Sequence, residues 1–303
     1  MPPSPITRRL VADASLLLVA AVWGATFPLA KAILQHVPPF AYLGARFALA
    51  AALLLPFAAG ALRRAGAPAW RRGLWSGAAL GGGYALQTLG LRLTTATTAA
   101  FITGLSVVLV PVLGTMWGRR PGPREWTGVA LAAAGLAMLT LDGASWPGVG
   151  ELLVLGCAAC FALHILLLDR ASARTPPLAL GAMQMLAAAA VCGLLVPTEP
   201  LPSAVPVEIW GAVAGMAVVA SAGAFSIQAW AQRFTPPTHV GLVFASEPVA
   251  AALFARWWLR EVLDGVQWIG AALILVGIVV AEMRAPTRAW TAAAIDRRLS
   301  TAD

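Results

Sequence analysis

Few residues in this 303-residue chain can do acid–base or charge chemistry, and those few lie inside long apolar runs. Glu247, followed directly by Pro248, sits within one such run. A carboxylate there can hold a proton or an ammonium group. An uncompensated charge deep in an apolar span costs roughly 2.5–3.5 kcal/mol, so a partner, a wet cavity or a function must account for it. The structural alternative is a fixed contact with Lys31 or Arg46. Those two cations can instead bind a carboxylate, or carry their charge to an interface on a long stem, a reading that suits Lys31 near the end of its run. His164 and His239 can relay protons near neutral pH, or each can hydrogen-bond a neighbouring helix. Gln87 and Gln228 can line a cavity, or can tie helices together for ~0.6 kcal/mol each. Trp23, Phe27, Tyr84 and Trp230 can wall a site for an apolar or aromatic side chain, with packing and lipid contact as the alternatives. Pro111 and Pro248 each remove a backbone donor, which makes them hinge candidates.

Other chemistries lack their parts. No H-E-x-x-H, carboxylate pair or histidine-rich set is present, so no metal, cofactor or hydrolytic centre is expected. Gly81-Gly82-Gly83 lies in an apolar run without the lysine and hydroxyl of a phosphate loop. Cys157-x-x-Cys160 has no partner pair, and with Cys192 it reads as buried, inert thiol. The chain is expected not to be an enzyme. A channel would need rings of polar groups, and one chain with this pattern does not supply them.

Composition fixes what must position these residues. The chain is 59% hydrophobic and 11% charged, with a mean hydropathy of +0.79. Soluble domains carry roughly 25% charged residues, so lipid is the expected solvent. The net charge of +8 does not point to nucleic acid, because the arginines stand in short clusters between apolar runs. Ten helices are expected near 14–34, 40–59, 73–93, 96–117, 125–141, 150–169, 177–197, 209–230, 239–258 and 266–283, each close to the ~20 residues a span needs. The first is too long for a signal peptide and is expected to be retained. With a cytoplasmic N-terminus, the inner segments hold 16 of the 21 lysines and arginines, which sets both termini in the cytoplasm. Trp146 and Trp257-Trp258 fall at helix ends, where aromatic belts form.

An internal repeat organises the ten. Trp23, Lys31 and Pro38-Pro39 recur as Phe161, Asp169 and Pro176-Pro177 at an offset of 138. Gln87, Arg92 and Thr94 recur as Gln228, Arg233 and Thr235 at 141. Trp126-Thr127-Gly128 recurs as Trp268-Ile269-Gly270 at 142, and Gly135 as Gly277. Five helices per half is an odd number, so the halves must be inverted, the arrangement that lets a transporter exchange outward and inward openings. The expected units are residues 14–145, 148–284 and a cytoplasmic tail, 285–303.

Trp23-Gly24 with Lys31, Pro39 with Ala45-Arg46-Phe47, Phe244-Ala245-Ser246-Glu247-Pro248, Glu261 and Trp268-Ile269-Gly270 to Gly277 together resemble the drug/metabolite transporter superfamily, specifically ten-helix bacterial EamA-type exporters. The resemblance runs from Leu16 to about Ala281. The chain departs from it at Arg119-Arg120, where the family often carries an acid. The resemblance implies a multi-pass protein of the bacterial inner membrane that exports amino acids, other metabolites or drugs, and some aromatic amino-acid exporters share this layout. The expectation is an all-α membrane protein of ten transmembrane helices in two inverted five-helix repeats. It would act as a monomer with the lipid bilayer and a small-molecule substrate as its only partners. Export by rocking of the halves would be facilitated or proton-coupled, since no nucleotide-binding motif is present.

Overall fold

A computed structural model of the chain describes residues 5–117, 122–140, 147–172, 175–202, 204–235, 240 and 243–282. Arg119, Arg120, Trp146, His239 and the tail 285–303 lie outside the described residues.

Every regular element among the described residues is helical. The first half of the chain forms α1 (Pro5–Ile33), α2 (Pro39–Arg64), α3 (Ala67–Leu91), α4 (Ala96–Gly104), α5 (Ser106–Gly114) and α6 (Pro123–Thr140). The second forms α7 (Val149–Ser172), α8 (Pro177–Leu195), α9 (Val207–Met216), α10 (Ala224–Ala231), α11 (Glu247–Leu259) and α12 (Gly265–Glu282), with a π-helical segment, Ala217–Gly223, joining α9 to α10. Among the described residues six helical stretches are long and apolar enough to cross a membrane, and Gly265–Ala281 is a shorter apolar helix. Their outer faces remain apolar: Leu194 (79% exposed), Phe57 (73%) and Leu18 (62%) stand free of the protein. Patches of that kind make a soluble protein aggregate, and in a bilayer they meet lipid.

Local chemistry fixes the helix starts. Pro39 and Pro177 open α2 and α8, where a missing N–H costs nothing. The backbone N–H groups of Phe40 and Ala41 donate to the Glu199 carboxylate at 2.8 and 3.2 Å. Glu261 does the same for α4, accepting from the N–H groups of Ala96 and Thr97 at 2.9 Å each. Two free donors and a helix dipole make these good places for a carboxylate.

The packing maps onto itself when the halves are exchanged. α6 lies along α12 and α2 along α8, while α3 against α7 is matched by α10 against α1. At the α6–α12 crossing a Cβ on Gly128 would meet Gly277 O at 2.5 Å, and one on Gly135 would meet Gly270 O at 2.5 Å. Gly128 and Gly135 are the sequence counterparts of Gly270 and Gly277, so the contact is reciprocal, as a two-fold axis requires. Gly135→Ala is expected to cost about 1–3 kcal/mol by forcing the backbones apart, lowering the apparent Tm in detergent. Gly82→Ala is the control, since a Cβ there meets nothing within 4 Å.

Two spans expected to be regular throughout are each interrupted by a short turn, with the backbone staying right-handed helical at Leu105 and Ser246. One break falls at Leu105, whose N–H turns back to the carbonyls of Ile102 and Thr103. The other falls at Ala245 and Ser246, between helical backbone at Val243–Phe244 and the start of α11. Glu247 is therefore not in mid-helix beside a proline kink; it is the first residue of a helix, and Pro248 occupies the next position, where no donor is needed. Leu105 and Ser246 are 141 residues apart, the spacing that separates Gln87 from Gln228. Broken helices in corresponding positions of two halves are where transporters place their binding sites.

Candidate functional site

The two breaks face one cavity. Trp23 and Phe27 reach it from α1, Tyr84 and Gln87 from α3, Thr103, Gly104 and Ser106 from the α4–α5 break, Phe161 and His164 from α7, Phe225 and Gln228 from α10, and Phe244 and Glu247 from the second break. Its volume is about 50 Å³, room for a few waters and far below the ~300–1,000 Å³ of pockets that enclose small ligands. The cavity is contracted in this conformation.

Aromatic rings make its walls. The Trp23 ring lies 4.9 Å from that of Phe225 and 5.2 Å from that of Phe244, and its indole N–H donates to Ala220 O at 2.9 Å. Tyr84 stands edge-on to Phe47 at 5.2 Å and to Phe161 at 5.1 Å. Edge-to-face pairs of this kind add ~0.5–1.5 kcal/mol beyond their buried area and hold each ring in place.

The polar groups are set between those rings. The Gln87 amide donates to Thr103 Oγ1 at 3.1 Å, which ties α3 to the first break. His164 Nδ1 lies 3.0 Å from the carbonyl oxygen of Ser76. A carbonyl only accepts, so Nδ1 carries the proton, and the other ring nitrogen is left for the cavity. That Nε2 and Gln228 Oε1 are both buried without a hydrogen-bond partner. Glu247 is the first residue of α11. Among the described residues no basic side chain pairs with it: Lys31 lies 3.8 Å from Glu261 and also donates to Thr94 O, and Arg46 bonds to Ser221 and Tyr42. Lys31 ties the last turn of α1 to the loops before α4 and after α11, next to the Thr94–Glu151 hydrogen bond.

Seven of the eight residues expected to contact substrate meet in this cavity: Trp23, Phe27, Tyr84, Gln87, His164, Gln228 and Glu247. Trp230 does not. It follows Gln228 by two residues, about 200° around the helix, and packs on Phe234 at 5.3 Å. Pro248 abuts Gly104 at the meeting of the breaks, where a Cβ on Gly104 would lie 2.9 Å from the proline ring. Pro111 lies inside α5, beyond the break rather than at it. Sequence reading missed Thr103, Ser106, Phe225 and Phe244, and noticed Phe161 only as the counterpart of Trp23. A signal for the rings was present. Gln87, His164, Gln228 and Glu247 each follow an aromatic residue by three positions (Tyr84, Phe161, Phe225 and Phe244), the spacing that places two side chains on one helix face.

Residues 10–141 and 148–283 each match the EamA-like transporter family. The chain is 32% identical over 280 residues to an uncharacterized transporter of Archaeoglobus fulgidus, covering 91% of this chain and 87% of that one. It is 26% identical over 275 residues to the uncharacterized inner membrane transporter YedA of Escherichia coli K12, covering 86% and 87%. A match to the threonine/homoserine exporter RhtA of Salmonella typhimurium is 30% identical over 171 residues, covering 54% of this chain and 55% of the exporter. One solved crystal structure shares the fold, with a TM-score of 0.65 at 23% identity, covering 89% of this chain and 96% of that chain.

Proposed function

The chain belongs to the EamA-like transporter family and is a multi-pass transporter of the inner membrane; on that premise we propose that it exports small metabolites, amino acids with aromatic or other apolar side chains foremost, by alternating access through the central cavity. The proposal takes ten crossings in two inverted five-helix repeats, residues 14–145 and 148–284, with both ends in the cytoplasm and the monomer as the working unit.

One observation carries it. Glu247 has no cationic partner among the described residues, yet it sits in a cavity walled by aromatic rings and lined from both halves of the chain. A carboxylate so placed can take a substrate ammonium, or a proton when the substrate has left. The rings accommodate an apolar side chain, while Gln228 Oε1, which has no hydrogen-bond partner, and the Gln87 amide, once it leaves Thr103, hydrogen-bond polar atoms. The partial match to the threonine/homoserine exporter supports an amino-acid cargo. The contracted cavity must widen to admit one, and rocking of the halves about the paired breaks supplies the widening.

Efflux from cells and proteoliposomes loaded with amino acids and toxic analogues tests the reading, with apolar and aromatic members of the panel expected to leave fastest. Export of hydrophobic cations with no amino acid exported would replace it by drug efflux. Gln87→Ala and Gln228→Ala each remove a polar contact worth about 0.5–1.5 kcal/mol, so each is expected to raise KM by up to roughly tenfold. Unchanged kinetics in both would remove the amides from the substrate path.

A further inference from the structure

Arg46 is a cation with no anion beside it among the described residues. It sits in α2, is 1% exposed, and is the bulkiest of the fully buried side chains. Its Nε donates to Ser221 Oγ at 2.7 Å and its Nη1 to the Tyr42 hydroxyl at 3.0 Å, while its Nη2 is buried with no partner. Among the described residues no carboxylate pairs with it. Its position about 10 Å along α2 puts a full charge well inside the span, where charges are rare and mark function.

The surroundings are built around this group. Ser221 belongs to the π-helical segment, a geometry that is uncommon and concentrates at functional sites. The same segment offers Ala220 O to the cavity residue Trp23, and the Tyr42 hydroxyl that receives Arg46 itself points at Met216 Sδ, 3.4 Å away, just before the segment begins. The guanidinium lies 5.0 Å from the centre of the Tyr84 ring, and Tyr84 is a wall of the cavity. Tyr84 and Glu247 both line that cavity. The ring that the Arg46 guanidinium touches is thus part of the same cavity wall as Glu247.

We propose that Arg46 is the carboxylate subsite of the transport cavity, covered by the Tyr84 ring in the contracted conformation and uncovered as the cavity widens, so that a zwitterionic substrate is held with its carboxylate on Arg46 and its ammonium on Glu247. This rests on the transport reading above and names the chemistry of its cargo. The open Nη2 provides one donor, and displacing Tyr84 frees the guanidinium face without breaking the bonds to Ser221 and Tyr42 that aim it. The subsite selects against amines that lack a carboxylate and against esterified amino acids.

Three probes of one shape separate the parts: phenylalanine carries both charges, its methyl ester only the ammonium, and 3-phenylpropanoate only the carboxylate. Binding is read as thermal stabilisation of the full-length protein in nanodiscs. The wild type is expected to bind phenylalanine at least about tenfold more tightly than the ester. Arg46→Lys keeps the charge but loses the planar fork, and is expected to weaken both carboxylate probes about tenfold while leaving the ester unchanged. The wild-type comparison stands even where the variant fails to fold. Binding of 3-phenylpropanoate without phenylalanine keeps the Arg46 subsite and overturns the amino-acid cargo. Equal binding of acid and ester, an Arg46→Lys protein that still prefers the acid, or no response to either carboxylate overturns the subsite.

Discussion

Glu247→Gln is expected to slow export at least tenfold and to erase its dependence on pH. The amide has the shape of the protonated acid and cannot lose the proton, so a carrier that must alternate between the two forms is held in one. In the cavity Glu247 is the only carboxylate among the described lining residues, and Lys31 and Arg46 have other partners, so no nearby described acid takes over its role. Glu247→Asp retains the titrating group on a shorter stem, and is expected to export more slowly while keeping the pH dependence. Rates measured in proteoliposomes over a range of internal and external pH distinguish these outcomes. A Glu247→Gln protein whose rate follows pH as the wild type does would remove Glu247 from coupling and leave facilitated export.

Gly104→Leu is expected to abolish transport, by two orders of magnitude or more, in a protein that still reaches the membrane. Gly104 lines the cavity and lies at the end of α4, directly before the first break. A Cβ there would stand 2.9 Å from the Pro248 ring, closer than real contacts run. A leucine both occupies the cavity and wedges the breaks apart at the point where the halves must move. Gly104→Ala adds the one clashing carbon without the bulk, and a partial loss of about tenfold is expected. The comparison separates blockage from misfolding, because both variants carry the same backbone substitution and only one fills the path. Export by Gly104→Leu within a factor of two of wild type would place the substrate route elsewhere.

Much of the architecture is legible in the residues because lipid simplifies the grammar. Apolar runs near 20 residues long must be helical, since lipid satisfies no backbone group, and the starts at Pro39 and Pro177 follow from proline itself. Gln87 and Gln228 reach the cavity as their repeat positions suggest, because two-fold related polar residues share an axis. The breaks at Leu105 and Ala245–Ser246 are not legible. The turn at Leu105 follows a run, Ala96–Gly104, with neither proline nor charge to mark it, and the contact of Gly104 with the Pro248 ring is a tertiary one. The pairing of Lys31 with Glu261 was hidden for a related reason: 230 positions separate them, and only the closing of two loops brings them together. Arg46 was read from the sequence as a cation for Glu247, for a carboxylate or for an interface. That its partners are a serine on a π-helical segment and two tyrosines depends on a backbone irregularity without a sequence signal in Ala217–Gly223.

The central claim is that one cavity opens in turn to the two sides of the membrane. A chain in which Cys157, Cys160 and Cys192 are replaced and Gln228→Cys places a single thiol on the cavity wall tests it with membrane-impermeant thiol reagents, applied separately to right-side-out and inside-out vesicles. The account predicts labelling from both sides, with saturating substrate on one side shifting the rate of labelling from the other. Labelling from one side alone, unmoved by substrate, would contradict it.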